Sequence, residues 1–286
     1  SMNFLLVPDK FKGSLSAKQV IAAISRSVSD IYPEAGIYRV AASDGGDGFL
    51  DSVRSYLELE SKKIDITGPL GKKISTEYLV NPQTAEAYIE LAKASGLELL
   101  SDEQRNPLLT STMGTGIQIK DAILNGATKI YIGLGGSATN DAGLGIAVAC
   151  GFSFLDKFGK SLKPIGKNLS RISTIKSSDL LKDFQNLEIY AVNDVDNPLF
   201  GPTGAAYVYA AQKGATKEDI EFLDKGLKHL HTIVKEEMGM DYADIPGSGA
   251  AGGTSYGLKT FLNAEFISGT DFVFKLARID KLLESN

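Results

Sequence analysis

The sequence is poor in the residues on which several common chemistries depend. Its single cysteine, Cys150, cannot form an internal disulfide, which excludes a disulfide scaffold and favours a reducing cytoplasm. Only two histidines are present, His229 and His231, and both fall within one amphipathic segment. Catalysis by a Ser-His-Asp triad and zinc binding by histidines are therefore disfavoured.

The sequence also lacks long apolar runs, a secretion leader and an excess of positive charge. No run reaches the roughly 20 apolar residues that a membrane-spanning helix needs. The 30 Lys and Arg residues stand against 35 Asp and Glu residues, so the net charge of −5 gives no overall field that attracts nucleic acid. We expect a cytoplasmic protein that binds neither nucleic acid nor a membrane.

Glycine, in contrast, is abundant, with 30 of 286 residues against a usual share of about 7%. Much of this excess falls in five loops, at 45–48, 114–116, 133–145, 201–204 and 247–253. Glycines in loops allow tight turns and a close approach of the backbone to a ligand. The length itself suffices for about two domains.

The first 60 residues alternate between short apolar runs and helical periodicity. Strands are predicted at Asn3–Pro8 and Ile37–Ala42, and helices at Ala17–Tyr32 and Phe49–Leu57. This alternation is typical of a parallel α/β sheet.

The pattern changes after the turn Gly68–Gly71, where we place a domain boundary. Ile74–Val80 and Ala85–Leu91 are joined by a turn and predict a hairpin. Further along, the pattern predicts three strands (Lys129–Leu134, Phe152–Leu155, Leu187–Val192) and three helices (Gly114–Asn125, Lys217–Met238, Thr254–Leu262).

Four polar or glycine-rich segments directly follow predicted strands, which is where ligands bind in open α/β sheets. The first is Pro8–Ser14, whose side chains of Lys10, Lys12 and Ser14 suit an anionic group. A solvated turn capped by Ser16 is the alternative.

The second segment, Asp44-Gly45-Gly46-Asp47-Gly48, places two carboxylates among three glycines. Asp44 and Asp47 suit a metal ion or a polar ligand that approaches the backbone closely. An acidic turn that caps the next helix is the alternative.

The third segment, Gly133–Gly145, is expected to open a helix, so its backbone N–H groups suit a phosphate. It has no Gly-Lys-Ser/Thr and is not a Walker A loop. Gly133, Gly135 and Ala138, with Asp156 about twenty residues on, also match a loose dinucleotide-binding pattern. A turn that serves only helix–strand packing is a third interpretation.

The fourth segment, Asn193–Pro198, contains Asp194 and Asp196, which suit Mg²⁺ binding or a general base. An Asx turn ended by Pro198 is the alternative. With histidine chemistry disfavoured, carboxylates, lysines and glycine loops remain. This combination is typical of phosphoryl transfer, where positioning and charge neutralisation provide most of the catalysis.

Nine short motifs occur in order along the whole chain. They are Pro-Asp-Lys-Phe-Lys-Gly-Ser-Leu-Ser-Ala (8–17), Ser-Asp-Gly-Gly-Asp-Gly (43–48), Ala-Ser-Gly-Leu (94–97), Arg-Asn-Pro-Leu (105–108), Gly-Thr-Gly (114–116), Gly-Gly-Ser-Ala-Thr-Asn-Asp (135–141), Asp-Val-Asp-Asn-Pro-Leu (194–199), Gln-Lys-Gly-Ala (212–215) and Gly-Ala-Ala-Gly-Gly (249–253). Together these motifs resemble the bacterial type-I glycerate kinase family.

The resemblance implies ATP-dependent phosphorylation of D-glycerate to 2-phosphoglycerate or 3-phosphoglycerate, a phosphotransferase reaction with an alcohol acceptor. It also implies a two-domain α/β fold, in which a mixed α/β domain (69–255) is inserted into a discontinuous Rossmann-like domain (1–68 and 256–286). The active site would lie in the cleft between them. Family members continue with a further strand beyond the position of Asn286, so we expect the Rossmann-like domain to be incomplete relative to the family. A homodimer is left open.

Within these motifs we expect Asp194 to accept the proton of the glycerate hydroxyl. Lys12 is expected to neutralise the charge of the transferred phosphate or of the glycerate carboxylate. The predicted substrate-binding residues are Lys10, Ser14, Ser95 and Arg105. Mg²⁺ is expected to bridge the phosphates of ATP, held by one or two of Asp44, Asp47 and Asp196. The predicted phosphate cradle consists of Gly135, Gly136, Ser137, Ala138, Thr139 and Asn140.

Two other interpretations are retained. One is an NAD(P)-dependent oxidoreductase, which depends on the glycine pattern and Asp156. The other is a non-catalytic sugar-acid binding protein, which an incomplete domain would allow.

Overall fold

The computed structural model describes residues 2–6, 8, 17–39, 48–180 and 186–277. The strands are β1 (Asn3–Leu6), β2 (Gly36–Arg39), β3 (Glu60–Thr67), β4 (Lys73–Asn81), β5 (Glu86–Glu90), β6 (Lys129–Gly133), β7 (Phe152–Leu155), β8 (Thr174–Ser177), β9 (Glu188–Val192) and β10 (Glu265–Ile267). The helices are α1 (Ala17–Ile31), α2 (Phe49–Arg54), α3 (Ala92–Ser95), α4 (Met113–Leu124), α5 (Leu144–Ala149), α6 (Ala205–Tyr209), α7 (Lys217–Met238), α8 (Ala250–Leu262) and α9 (Gly269–Ala277).

Six described strands form one mixed sheet in the order β10-β9-β6-β5-β4-β3. Strands β10, β9, β6 and β5 run parallel, while β4 is antiparallel to both of its neighbours. The predicted hairpin is therefore confirmed as β4–β5. Two smaller sheets pair β1 with β2 in parallel and β7 with β8 antiparallel.

Helices cover both faces of the main sheet, because buried residues alternate along its central strands. Ile130 and Ile132 of β6 pack in one core with residues of α4 and α8. Tyr131, between them, faces the opposite core, which α2 and α9 complete. A third core joins α5, β7, α6 and α7. The architecture is a mixed α/β fold, as the sequence predicts.

The sequence pattern did not predict β3. Six of its eight residues are polar or charged and most are exposed, so only Ile64 and Ile66 carry the strand signal. Such a composition suits an edge strand, because charges there discourage pairing with another chain. Strand β3 pairs with β4 across Gly68–Gly71, the turn at which the sequence places a domain boundary. The division into two domains stays a prediction.

The parallel strands end level with one another along one edge of the sheet. In the strand register, Glu90 lies opposite Gly133, Gly133 opposite Val192, and Val192 opposite Ile267. The segments that follow these strands therefore emerge side by side, at the carboxyl edge where α/β sheets bind ligands. Among the described residues, no helix combines the length and the apolar character needed to cross a bilayer.

Candidate active site

A cleft of about 410 Å³ opens at the carboxyl edge of the sheet. Its walls come from the segments after β6 and β9, from the turn Ala211–Lys213 and from the first residues of α8. Three glycine-rich or polar motifs that lie far apart in the sequence thus meet at one place. This convergence follows from the strand register, since β6 and β9 are neighbours that end level.

The glycine-rich loop after β6 presents unpaired backbone donors to the cleft. Gly135, Gly136 and Ser137 line the cleft. Within the described part of the chain, their N–H groups donate no hydrogen bond, and Gly136 has a left-handed φ of 75°. Consecutive free N–H groups in a turn of this kind form a concavity that favours an anion.

The second half of the predicted cradle lies behind this surface. Ala138, Thr139 and Asn140 are buried. The Ala138 N–H donates to the Ser95 carbonyl at 2.9 Å, and the Thr139 N–H donates to the Ser137 hydroxyl at 3.0 Å. The donors that face the cleft are therefore those of residues 135–137, and Ala138 and Thr139 use their N–H groups to hold the loop.

The segment Gly133–Gly145 opens a helix, as predicted, but the helix begins only at the end of the segment. Helix α5 begins only at Leu144, after Asp141 has turned the chain inward. The fully buried Asp141 carboxylate accepts hydrogen bonds from the N–H and hydroxyl of Thr112 and from the N–H groups of Gly143 and Gly145. Burial raises the pKa of Asp141, and these hydrogen bonds oppose the rise.

A left-handed first turn of α8 closes another side of the cleft. Ala251, Gly252 and Gly253 have consecutive φ values of 54°, 65° and 83°, and Ala251 lines the cleft. A Cβ atom at Gly252 would collide with the carbonyl oxygen of Thr139. Glycine is therefore required at this position both for its conformation and for the backbone contact. Regular helix follows from Thr254, where the sequence predicts its start.

Asp194 lies in the cleft directly after β9. Its Oδ1 accepts a hydrogen bond from the Gly269 N–H at 2.9 Å, which ties the carboxylate to the start of α9. Asn193 makes the predicted Asx turn, because its Oδ1 accepts a hydrogen bond from the Val195 N–H. Asp196 is exposed and lies outside the cleft lining.

The two predicted substrate residues that the structure describes are not in the cleft wall. Ser95 is fully buried, and its hydroxyl shares a hydrogen bond of 2.8 Å with the hydroxyl of Thr115. Arg105 makes an ion pair of 2.8 Å with Asp102, and its buried Nε has no partner among the described residues. A Cβ atom at Gly214 would meet the Arg105 carbonyl, so the Arg105 backbone lies against the turn that ends at Lys213.

Five predicted site residues, Lys10, Lys12, Ser14, Asp44 and Asp47, lie outside the described residues. The described end of the second motif is Gly48, whose N–H donates to Oε1 of Glu90 at 3.0 Å. Oε2 of Glu90 accepts the N–H of Leu50 at 3.1 Å. Since Glu90 ends β5, Gly48 lies at the same edge of the sheet as the cleft.

Sequence reasoning missed Glu90 and Lys213. Both are charged and nearly buried, with relative exposures of 5% and 3%. Burial lowers the pKa of Lys213 to about 8, while the nearby Asp141 carboxylate opposes this change. The sequence signal for Glu90 was its position at the end of the apolar run Ala87–Ile89. The signal for Lys213 was the motif at 212–215.

The structure separates the two parts of the dinucleotide-binding pattern. Asp156 follows β7, which pairs with β8 in a separate small sheet. Its Oδ1 accepts hydrogen bonds from the N–H groups of Phe158 and Lys160. In a dinucleotide-binding fold, the acidic residue follows a strand parallel and adjacent to the glycine-loop strand. The oxidoreductase interpretation therefore loses its structural basis.

Comparison with known proteins shows the family of this chain. The sequence model of the glycerate kinase family matches residues 4–286. The chain belongs to the glycerate kinase family. It is 40% identical over 284 residues to a glycerate kinase of Halalkalibacterium halodurans, covering 99% of this chain and 75% of that protein.

Two further relatives of the chain support its membership of the glycerate kinase family. A protein of Escherichia coli named glycerate 2-kinase is 39% identical over 272 residues, covering 95% of this chain and 71% of its own length. A crystal structure from Salmonella typhimurium LT2, provisionally named glycerate kinase 2, superposes with a TM-score of 0.86 at 36% identity. That match covers 98% of this chain and 75% of the other.

Proposed function

We propose that this chain transfers the γ-phosphoryl group of ATP to a hydroxyl group of D-glycerate, and that transfer occurs in the cleft after β6 and β9. One observation carries the proposal. In a member of the glycerate kinase family, the Asp194 carboxylate and the unpaired N–H groups of Gly135–Ser137 line the same cleft. A proton acceptor and an anion cradle are what transfer of a phosphoryl group to an alcohol requires.

In this proposal, the cradle formed by the N–H groups of Gly135–Ser137 positions the phosphates of ATP. The N–H groups of Gly135–Ser137 bind phosphate oxygens of ATP and direct the γ-phosphorus towards the acceptor hydroxyl. Because these donors make no bond within the described part of the chain, none has to be broken when the phosphate arrives.

Asp194 has the task of accepting the proton. The glycerate oxygen forms a bond to the γ-phosphorus, the bond to the bridging oxygen breaks, and ADP leaves with that electron pair. The hydroxyl proton passes to the Asp194 carboxylate, whose position the Gly269 N–H fixes. A positioned base contributes about 10²–10⁴-fold to the rate.

Mg²⁺ supplies charge neutralisation on the phosphates when it accompanies ATP. Among the described residues there is no group of three acidic, His or Cys side chains that could hold a metal ion. Mg²⁺ usually keeps several waters and binds through one or two carboxylates and the substrate phosphates. We propose that one or two of Asp44, Asp47 and the exposed Asp196 supply these carboxylates.

Three further assignments complete the proposal. Lys12 neutralises the charge of the transferred phosphate or of the glycerate carboxylate, and Lys10 and Ser14 contact glycerate. Ser95 supports the cradle by accepting the Ala138 N–H on its carbonyl. The two-domain arrangement, with the insertion at 69–255, is retained as part of this proposal.

A coupled assay of ADP release tests the function. We expect release that depends on both D-glycerate and ATP, with 2-phosphoglycerate as the product in phosphorus NMR. The name of the E. coli relative supports position 2. Tight binding of glycerate without ADP release would favour a non-catalytic sugar-acid binding protein instead.

The variant Asp194→Asn tests the proton acceptor. We expect kcat to fall by about 10²–10⁴-fold with little change in KM. The fold should persist, because the amide oxygen can still accept the Gly269 N–H. Asp224→Asn is the matched control, since the Asp224 carboxylate also accepts a glycine N–H, that of Gly201 at 2.8 Å, away from the cleft. Equal kcat values in the two variants would remove Asp194 from this role.

A further inference from the structure

Lys213 is a buried cation that lines the cleft. It ends the short turn Ala211–Lys213 and reaches across to the glycine-rich loop, where its Nζ donates to the Thr139 carbonyl at 2.7 Å. Its side chain is only 3% exposed, yet it belongs to the cleft wall with Gly135 and Asp194. A lysine is seldom buried to this degree without a partner of opposite charge.

The hydrogen bonding of Lys213 is incomplete. An ammonium has three donors, and within the described residues only the bond to Thr139 is formed. The carboxylate near enough to affect its charge is Asp141, which already accepts hydrogen bonds from four donors. The ammonium therefore retains donors on a wall of the cleft.

A second buried polar group, the side-chain amide of the residue after Thr139, has no hydrogen-bond partner among the described residues. Asn140 follows Thr139 in the chain and is fully buried. Neither Nδ2 nor Oδ1 of its amide has a hydrogen-bond partner among the described residues. An unsatisfied buried amide costs about 1–3 kcal/mol. Unused hydrogen-bonding capacity therefore remains at Lys213, on the cleft wall, and at Asn140, behind that wall.

We propose that the Lys213 ammonium is a substrate-binding group that holds an anionic oxygen group of the reactants in the cleft. The inference rests on the proposed function and deepens it. The shared chemistry is an oxyanion, and two sources in the reaction can supply it: the carboxylate of glycerate or the transferred phosphoryl group. Because the hydrogen bond to the Thr139 carbonyl holds the ammonium in place, the Lys213 side chain does not have to rearrange when the anion binds.

The titration of Lys213 in the wild-type protein tests this directly. Nitrogen-15 NMR of the lysine Nζ groups gives the pKa of Lys213, with the resonance assigned by its loss in Lys213→Met. We expect an upward shift of at least one pKa unit when the anion binds, because the anion favours the charged form. A shift with D-glycerate alone identifies the carboxylate, and a shift with a non-hydrolysable ATP analogue alone identifies the phosphoryl group. No shift with either, at saturation shown by calorimetry, overturns the proposal.

Kinetics of Lys213→Met provide the second readout. If the carboxylate is the ligand, the KM for glycerate should rise about 100-fold with kcat largely kept. If the phosphoryl group is the ligand, kcat should fall by a similar factor. Lys225→Met is the control, because Lys225 is an exposed lysine of α7 that pairs only with Glu221 in the described structure. Unchanged kinetics in a folded Lys213→Met protein would overturn the proposal.

The two experiments separate this inference from the proposed function. The NMR titration needs binding and no turnover, so it reports on Lys213 even if wild-type protein releases no ADP. Turnover by wild type with a flat Lys213 titration would instead contradict the lysine assignment alone.

Discussion

Asp141 and Lys213 place a buried carboxylate and a buried ammonium at one glycine-rich loop, to which Asp141 itself belongs. The loop supplies the Thr139 carbonyl to Lys213 and the Gly143 N–H to Asp141. Burying a charge is unfavourable unless donors or acceptors replace water. The extensive hydrogen bonding of Asp141 fits a structural role, whereas the single bond of Lys213 leaves it able to bind.

The depressed pKa of Lys213 predicts how stability depends on pH. Burial lowers this pKa from 10.5 to about 8 in the folded chain. Between pH 8 and pH 10.5 the unfolded chain therefore binds more protons than the folded chain, so stability should rise with pH in this window. The unfavourable contribution of the buried charge is fully present below pH 8 and is lost as the pH rises.

Urea unfolding of wild type and Lys213→Met at pH 8 and pH 9.5 measures this effect. We expect the free energy of unfolding of wild type to gain about 2 kcal/mol relative to the variant over that interval. The difference isolates Lys213 because both proteins share the other titratable groups around the cleft, namely Asp141, Glu98, Asp194, Tyr209 and Arg105. A constant difference would show that Lys213 keeps an ordinary pKa.

At the scale of elements, the left-handed turn that begins α8 joins two loops of the site. Gly252 has a φ of 65°, and its backbone packs against Thr139 so closely that a methyl group would overlap the carbonyl oxygen. The Gly252 carbonyl also accepts the Ala142 N–H at 3.0 Å. The turn therefore helps to hold the loop whose donors face the cleft.

The variant Gly252→Ala should be strongly destabilised, with Gly239→Ala as its matched control. Gly239, which follows α7, has a similar φ of 70°, but open space surrounds the position of its Cβ. The control should lose only the roughly 1–2 kcal/mol of left-handed strain. Gly252→Ala should lose about 1–3 kcal/mol more, from overpacking, and also lower kcat/KM. Equal losses in thermal unfolding would mean that the contact with Thr139 adjusts freely.

Elements were predicted best where one apolar pattern determines them. Helix α7 has the predicted bounds because its apolar residues repeat at helical spacing and a capping box at Thr216 and Asp219 begins it. Strand β3 was not predicted, because its two isoleucines are separated by Asp65 and preceded by charged residues. Its pairing with β4 provides the order that its own sequence lacks.

The site was predictable in so far as each motif follows a strand. Asp194 and Gly135–Ser137 were predicted in this way and line one cleft, because strand ends of a parallel sheet meet at one edge. Lys213 and Glu90 were not, since their contacts join residues 74 and 42 positions apart. Ser95 was placed in the site because its motif is part of it, although its side chain turns to Thr115. Motif membership does not determine which way a side chain faces.

At the scale of the whole molecule, the proposed ligand site lies at the carboxyl ends of the parallel strands, whereas β3 is the last strand in the sheet order. Hydrogen exchange can compare the protection of these two regions. The N–H groups of Gly135–Ser137 make no bond within the described part of the chain, so they should exchange rapidly without ligand. Binding of ATP and glycerate should slow them, because phosphate oxygens accept these hydrogens. Strand β3, at the other end of the strand order, should exchange at an unchanged rate.

Mass spectrometry of deuterium uptake in peptides that cover 134–138 and 60–67 gives both rates in one experiment. The comparison matters because general stabilisation by ligand binding protects every region that opens by global unfolding. Protection confined to the peptide of the glycine-rich loop would instead locate the phosphate at its donors. Equal protection of both peptides, or none at 134–138 under conditions where calorimetry shows binding, would contradict the cradle.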